Sequence, residues 1–145
     1  MKNDFLFDYS FKYIIVGDSA VGKSCILSQL INKSINLSNS VTIGVEFASL
    51  NIKIDDTIIK LHIWDTAGLE IYKSLTISYF RNTSAIFFVC DITNLNTFEN
   101  IEQWINEVKL NGNINTLKIL IGNKKDLDSN RKVSFNTGCE FAKKK

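Results

Sequence analysis

Apolar positions along the chain change period several times, and each change marks an element. Phe11-Lys-Tyr-Ile-Ile-Val-Gly17 is a β-rich apolar run that stops at a glycine. Ile26, Leu27, Leu30 and Ile31 then recur at helical spacing, so residues 22 to 31 read as a helix behind a short loop. Residues 32 to 41 are polar and carry no period. From Glu46 a looser alternation through Phe47, Leu50, Ile52 and Ile54 leads to Asp55-Asp56, a turn signal, and Ile58 to Trp64 reads as the returning strand of a hairpin.

Ala85-Ile-Phe-Phe-Val-Cys-Asp91 is apolar throughout, as expected of a strand buried on both faces of a parallel sheet. A helix should follow, capped by Asn96 with Glu99 three residues on, and burying Ile101, Trp104, Ile105 and Val108. Leu117-Lys-Ile-Leu-Ile-Gly122 reads as another buried strand, and residues 134 to 143 as a final helix. Strands alternating with helices predict an α/β fold of P-loop NTPase type: a mostly parallel sheet, a hairpin at one edge and helices on both faces. Ligands of such sheets bind beyond the carboxyl ends of the strands.

Composition narrows the picture without changing it. The 145 residues, 45% apolar and 22% charged, suit one globular domain, residues 1–145, with residues 1–10 as an N-terminal arm. A net charge of +2 gives no ground for a nucleic-acid partner, and the terminal Lys143-Lys144-Lys145 reads as a solvated tail. Cys25, Cys90 and Cys139 are odd in number and widely spaced, which argues against a disulfide framework or a zinc site and for a reducing, cytoplasmic setting. No apolar run reaches membrane-spanning length, and the N-terminal segment lacks the apolar core of a secretory signal.

Three candidate sites follow predicted strands. Gly17-Asp-Ser-Ala-Val-Gly22-Lys23-Ser24 fits the phosphate-loop pattern between a strand and a helix, the context that gives the pattern its meaning. There the backbone N–H groups of Asp18, Ser19, Ala20, Val21, Gly22 and on to Cys25 can wrap phosphates, Lys23 can reach the β- and γ-phosphates, and Ser24 can ligate Mg2+. Asn123-Lys124-Lys125-Asp126 has the N-K-x-D form, in which the carboxylate of Asp126 can accept from both N1–H and the 2-amino group of guanine. Adenine has no such donor pair, and hydrogen bonds to charged groups contribute about 1.5–3 kcal/mol each, so guanine is the expected base. Asp65-Thr-Ala-Gly68 supplies a carboxylate for Mg2+ through water and a glycine N–H for a γ-phosphate, and Thr42 can offer a hydroxyl to the same metal.

With these motifs in hand the chain resembles a small GTPase of the Ras superfamily, and specifically a Rab. Thr42-Ile-Gly-Val-Glu-Phe47, Lys60-Leu-His-Ile-Trp-Asp-Thr-Ala-Gly68, Tyr79-Phe-Arg81 and Asp91-Ile-Thr93 resemble Rab-distinguishing segments, and the likeness spans about residues 10 to 142. The resemblance implies a GTP/GDP switch with Mg2+, in which Thr42 and Gly68 belong to two segments held by the γ-phosphate. It also implies effector contact through Ile43, Phe47, Trp64 and Tyr79, together with an exchange factor and a GTPase-activating protein as partners. A monomer acting in vesicle traffic, cytoplasmic or peripheral at endomembranes, is the corresponding expectation. His62 reads as a strand-surface residue. Arg81 is not read as an arginine finger, because the family supplies that group in trans.

Three departures from the family bear on function. Leu69 stands where a glutamine normally orients the attacking water, and a leucine neither donates nor accepts a hydrogen bond, so intrinsic hydrolysis should be impaired. A slow hydrolase and a GTP-locked binding module both remain open readings. Ile35 stands seven residues before Thr42, where an aromatic usually packs on the base, so faster nucleotide release is expected. The sequence stops at Lys145, before the family's last strand, base-capping Ser-Ala-Lys loop and last helix. That predicts exposed apolar surface, an unpaired strand edge and no encoded membrane attachment, Cys139 being too far from the end to be prenylated. A product too incomplete to retain nucleotide is the third reading.

Overall fold

The computed structural model describes residues 7–32, 45–66, 79–113 and 115–145. Strand β1 (Tyr9–Val16) leads into α1 (Lys23–Asn32), followed by β2 (Val45–Ile54), β3 (Thr57–Thr66) and β4 (Ala85–Asp91). Two consecutive helices, α2 (Leu95–Glu99) and α3 (Ile101–Asn111), precede β5 (Leu117–Asn123), a 3-10 helix (Lys125–Asn130) and α4 (Phe135–Lys143). The strands form one sheet in the order β2-β3-β1-β4-β5. Among the described residues only the β2–β3 hairpin is antiparallel; β1 pairs in parallel with β3 and β4, and β4 with β5.

Alternation along the inner strands sorts the core into two layers. Ile14, Val16, Ile86, Phe88 and Cys90 face α2, α3 and α4, packing with Phe98, Ile101, Trp104, Ile105 and Val108. Ile15 and Val89 face the other way, with Val21, Leu27, Leu61 and Ile63 under α1. Helices on both faces and a hairpin edge are therefore as the sequence pattern predicts.

Boundaries differ in instructive ways. The helix after β4 begins at Leu95, not beyond Asn96: Asn94 is its cap, its side chain accepting from Asn96 N–H at 3.2 Å. Asn94 closes the turn from Asp91, its N–H donating to the Asp91 carbonyl at 3.0 Å, and its extended backbone leaves its side chain placed to cap the helix ahead of Asn96. Strand β1 starts at Tyr9, inside the stretch expected as an arm, because Asp8 pairs with Ile58: its N–H donates to the Ile58 carbonyl and its carboxylate accepts from the Ile58 N–H. Ser134 caps α4 through the N–H of Thr137.

A cavity of about 570 Å3 opens between α1 and the sheet, walled by Tyr13, Ile15, Ile26, Leu30, Ile63 and Phe87. Among the described residues β5 is the sheet's outer strand opposite the hairpin, with Leu117 60% exposed. No helix among the described residues is long and apolar enough to cross a membrane.

Candidate functional site

Because β3, β1, β4 and β5 run parallel, their carboxyl ends share one edge of the sheet. Gly17, Asp65, Asp91 and Asn123 all stand there, at or just beyond strand ends. Three of the sequence motifs thus converge where an α/β sheet binds ligands.

The loop between β1 and α1 is shaped by residues of positive φ: Gly17 at 148°, Ala20 at 61° and Gly22 at 98°. Such alternation turns successive N–H groups toward one concave side, which makes an anion cradle. Both glycines also have close neighbours, a main-chain oxygen at Gly17 and a side-chain end at Gly22. A Cβ on Gly17 would lie 2.2 Å from the Val89 carbonyl oxygen, and one on Gly22 would lie 2.2 Å from Nδ2 of Asn123.

Lys23 opens α1 and is 6% exposed. Its ammonium folds back across the loop, donating to the carbonyls of Gly17 at 2.8 Å and Asp18 at 2.7 Å. The next residue, Ser24, donates its hydroxyl to Oδ2 of Asp65, a carboxylate fully buried at the end of β3. A hydroxyl and a carboxylate brought together at a phosphate cradle are the hard oxygen donors that Mg2+ takes, so this pair fits that ion. Thr66 beside it donates to the Ile15 carbonyl at 2.7 Å, which holds the end of β3 against β1.

The segment Asn123-Lys124-Lys125-Asp126 is tied to the loop between β1 and α1. Asn123 donates through Nδ2 to the Val21 carbonyl at 2.8 Å. Lys124 adopts the left-handed conformation, φ 67°, and its ammonium meets Asp91 Oδ2 at 2.7 Å. Burial pushes the Asp91 carboxyl up, but hydrogen bonds from Lys124 and from the Thr93 hydroxyl and N–H, with the Lys124 charge, outweigh it and hold the group below its ordinary value. Asp126 is exposed on the following 3-10 helix. Ser19 is exposed at the loop's tip, and Cys25 is exposed on α1 beside the apolar cavity.

The three aromatics form a continuous row. Phe47 on β2 lies 4.8 Å from Trp64 on β3, centroid to centroid, and Trp64 lies 5.6 Å from Tyr79. Phe47 is 50% exposed, whereas Trp64 and Tyr79 lean on the core, so the row runs from surface to interior. His62 stacks on Phe47, and Arg81 is exposed, its carbonyl accepting from Lys12 at 3.0 Å. Ile35, Thr42, Ile43, Gly68 and Leu69 lie outside the described residues.

Two partners of the loop were not legible as such. Asn100 and Trp104, the latter read only as core, both donate to the Asp18 carboxylate. The signal was present in Asp18 itself, since a carboxylate within a phosphate cradle calls for donors.

The chain matches the model of the Ras family over residues 12–145. It is 45% identical over 138 residues to the Ras-related protein Rab-2B of Dictyostelium discoideum, an alignment covering 95% of this chain and 68% of that relative.

Proposed function

The chain belongs to the Rab group within the Ras family of small GTPases, and from that premise we propose how its residues divide the work of a nucleotide switch. GTPases of this family bind GTP and GDP with Mg2+. The loop from Asp18 to Cys25 wraps the phosphates, Lys23 leaves its carbonyl partners for the β- and γ-oxygens, and Asp126 selects guanine. Ser24, Asp65 through water, and Thr42 would hold Mg2+, which when bound would offset charge on the β- and γ-phosphates. Gly68 N–H and Thr42 report the γ-phosphate. The single observation that carries this reading is the Asn123–Val21 hydrogen bond, which makes the base motif and the phosphate loop one unit.

Hydrolysis proceeds by attack of water on the γ-phosphate, and it is slow. Leu69 can neither orient that water nor polarise it, so intrinsic turnover is impaired while binding survives. Leu69 equally favours a second reading, a GTP-held binding module with negligible turnover. In both, the Phe47-Trp64-Tyr79 row with Ile43 forms the effector surface, exposed at its Phe47 end. Exchange and activating factors act on the same switch during vesicle traffic at endomembranes, and Ile35 in place of a base-packing ring hastens release.

One experiment separates the readings: release the nucleotide of the purified protein with acid and identify it by chromatography. Bound GDP supports turnover, bound GTP supports the held state, and absence of guanine nucleotide overturns both. Single-turnover hydrolysis by Leu69→Gln should then exceed that of the native chain, and equal rates would remove Leu69 as the cause.

A further inference from the structure

Asp18 puts a negative charge inside a loop that wraps phosphates. Repulsion between that carboxylate and a polyphosphate would weaken binding unless the charge is engaged elsewhere. Both oxygens are engaged by the α3 region: Asn100 Nδ2 donates to Oδ2 at 2.7 Å and Trp104 Nε1 donates to Oδ1 at 2.9 Å. Neither donor is a loose surface group. Asn100 sits at the junction of α2 and α3, its N–H on the Asn96 carbonyl at 2.9 Å and its own carbonyl accepting from Gln103 and Trp104. Trp104 is 8% exposed within the core, and a buried indole N–H requires an acceptor.

The main-chain carbonyl of Asp18 meanwhile accepts from Lys23. One residue thus joins the cradle's ammonium to the hydrophobic core beneath α3.

We propose that Asn100 and Trp104 are positioning residues for nucleotide binding: they hold the Asp18 carboxylate on α3, which keeps its charge off the phosphates and fixes the shape of the loop. The proposal rests on the nucleotide-binding reading of that loop. Without the two donors the carboxylate turns toward solvent and the phosphate side, and bound nucleotide leaves faster.

The test is the release rate of a fluorescent GDP analogue from the full chain, followed by stopped flow in excess GDP. Trp104→Phe keeps an aromatic ring in the core but loses the N–H together with part of the indole's volume, which the Asp18→Ala background controls for, and Asn100→Ala removes the other donor from a less buried position. Each should speed release about tenfold, the scale of one charge-assisted hydrogen bond. In an Asp18→Ala background the same substitutions should change release by less than about twofold, since coupled residues are non-additive. Val108→Ala, a core truncation on α3 away from Asp18, should lower Tm and leave release unchanged.

Native release rates in both donor variants, or equal acceleration with and without Asp18, would overturn the proposal. So would acceleration by Val108→Ala matching that of Trp104→Phe. Failure of the native chain to hold the analogue at all would instead overturn the nucleotide reading and the proposal with it, a result distinct from fast release confined to the variants.

Discussion

Asn123 Nδ2 reaches the Val21 carbonyl at 2.8 Å, across 102 positions of sequence, and Gly22 is the residue over which it reaches. The carboxamide occupies the space a side chain at Gly22 would need, so the two motifs are sterically as well as electrostatically coupled.

Gly22→Ala should therefore abolish guanine-nucleotide binding while leaving the fold. Its Cβ would sit on a backbone at φ 98°, strained for any L side chain, and would push the Asn123 carboxamide, 2.2 Å away, off the Val21 carbonyl. Asn123→Ala should be milder, weakening affinity about tenfold to hundredfold, as loss of a hydrogen bond of about 1–3 kcal/mol predicts. Titration calorimetry with GDP measures both, and far-UV circular dichroism confirms the fold. Native affinity in Gly22→Ala would contradict the coupling.

The Asp91–Lys124 pair gives stability a defined pH dependence. The folded Asp91 carboxyl titrates below its ordinary value, so the unfolded chain binds the proton first as pH falls. Its contribution is full above the unfolded value, near about pH 4, and disappears as pH falls through the lower folded value. Asp91→Asn should lower Tm by a few degrees at neutral pH, the shift that about 1 kcal/mol causes in a domain of this size. The difference from the native chain should close in acid. Differential scanning calorimetry from neutral to acid pH checks it, and a Tm difference that stays constant across that range would mean that packing, not charge, is responsible.

Most of the fold could be read from periodicity because its strands are buried on two faces and its helices on one. Ala85 to Asp91 is recovered residue for residue as β4, since an unbroken apolar run before an acidic strand end admits little else. The hairpin was legible from Asp55-Asp56, where Asp55 takes φ 52° to turn the chain. Less legible were features set by distant partners: β1 begins two residues before Phe11 because Asp8 finds Ile58, and nothing local to Asp8 announces it. The phosphate loop and Asn123 were visible as motifs because their chemistry is contiguous in sequence. The Trp104–Asp18 bond was not, since a tryptophan at helical spacing is read for its hydrophobic face and its N–H is a second property.

The Ser24–Asp65 contact predicts how the protein responds to metal removal. With EDTA in excess, release of GDP should accelerate, because the oxygens that Mg2+ would neutralise in the proposed site are left opposed across the cradle. Asp65→Asn keeps the size of a fully buried side chain and removes its charge. It should raise by about tenfold or more the Mg2+ concentration that half-maximally slows release, on the scale of one lost charged partner. Unchanged Mg2+ dependence would remove Asp65 from the metal site.

The three cysteines should separate cleanly by environment. Cys90 is buried on β4, and burial, reinforced by the Asp91 charge, pushes its thiol up to about 11. Near pH 8 only about one molecule in a thousand would carry the Cys90 thiolate, and the burial that raises the value also excludes reagent. Cys25 is exposed on α1 and Cys139 half-buried on α4. An aromatic disulfide reagent should thus titrate two thiols in the native protein and the third only after unfolding. Cys25 directly follows Ser24, so saturating GDP with Mg2+ should slow one of the two fast phases and leave the Cys139 phase alone. Peptide mapping after brief alkylation assigns each phase. Equal protection of Cys25 and Cys139 by GDP would point to global stabilisation by ligand, and an unprotected Cys25 would place the nucleotide away from the start of α1.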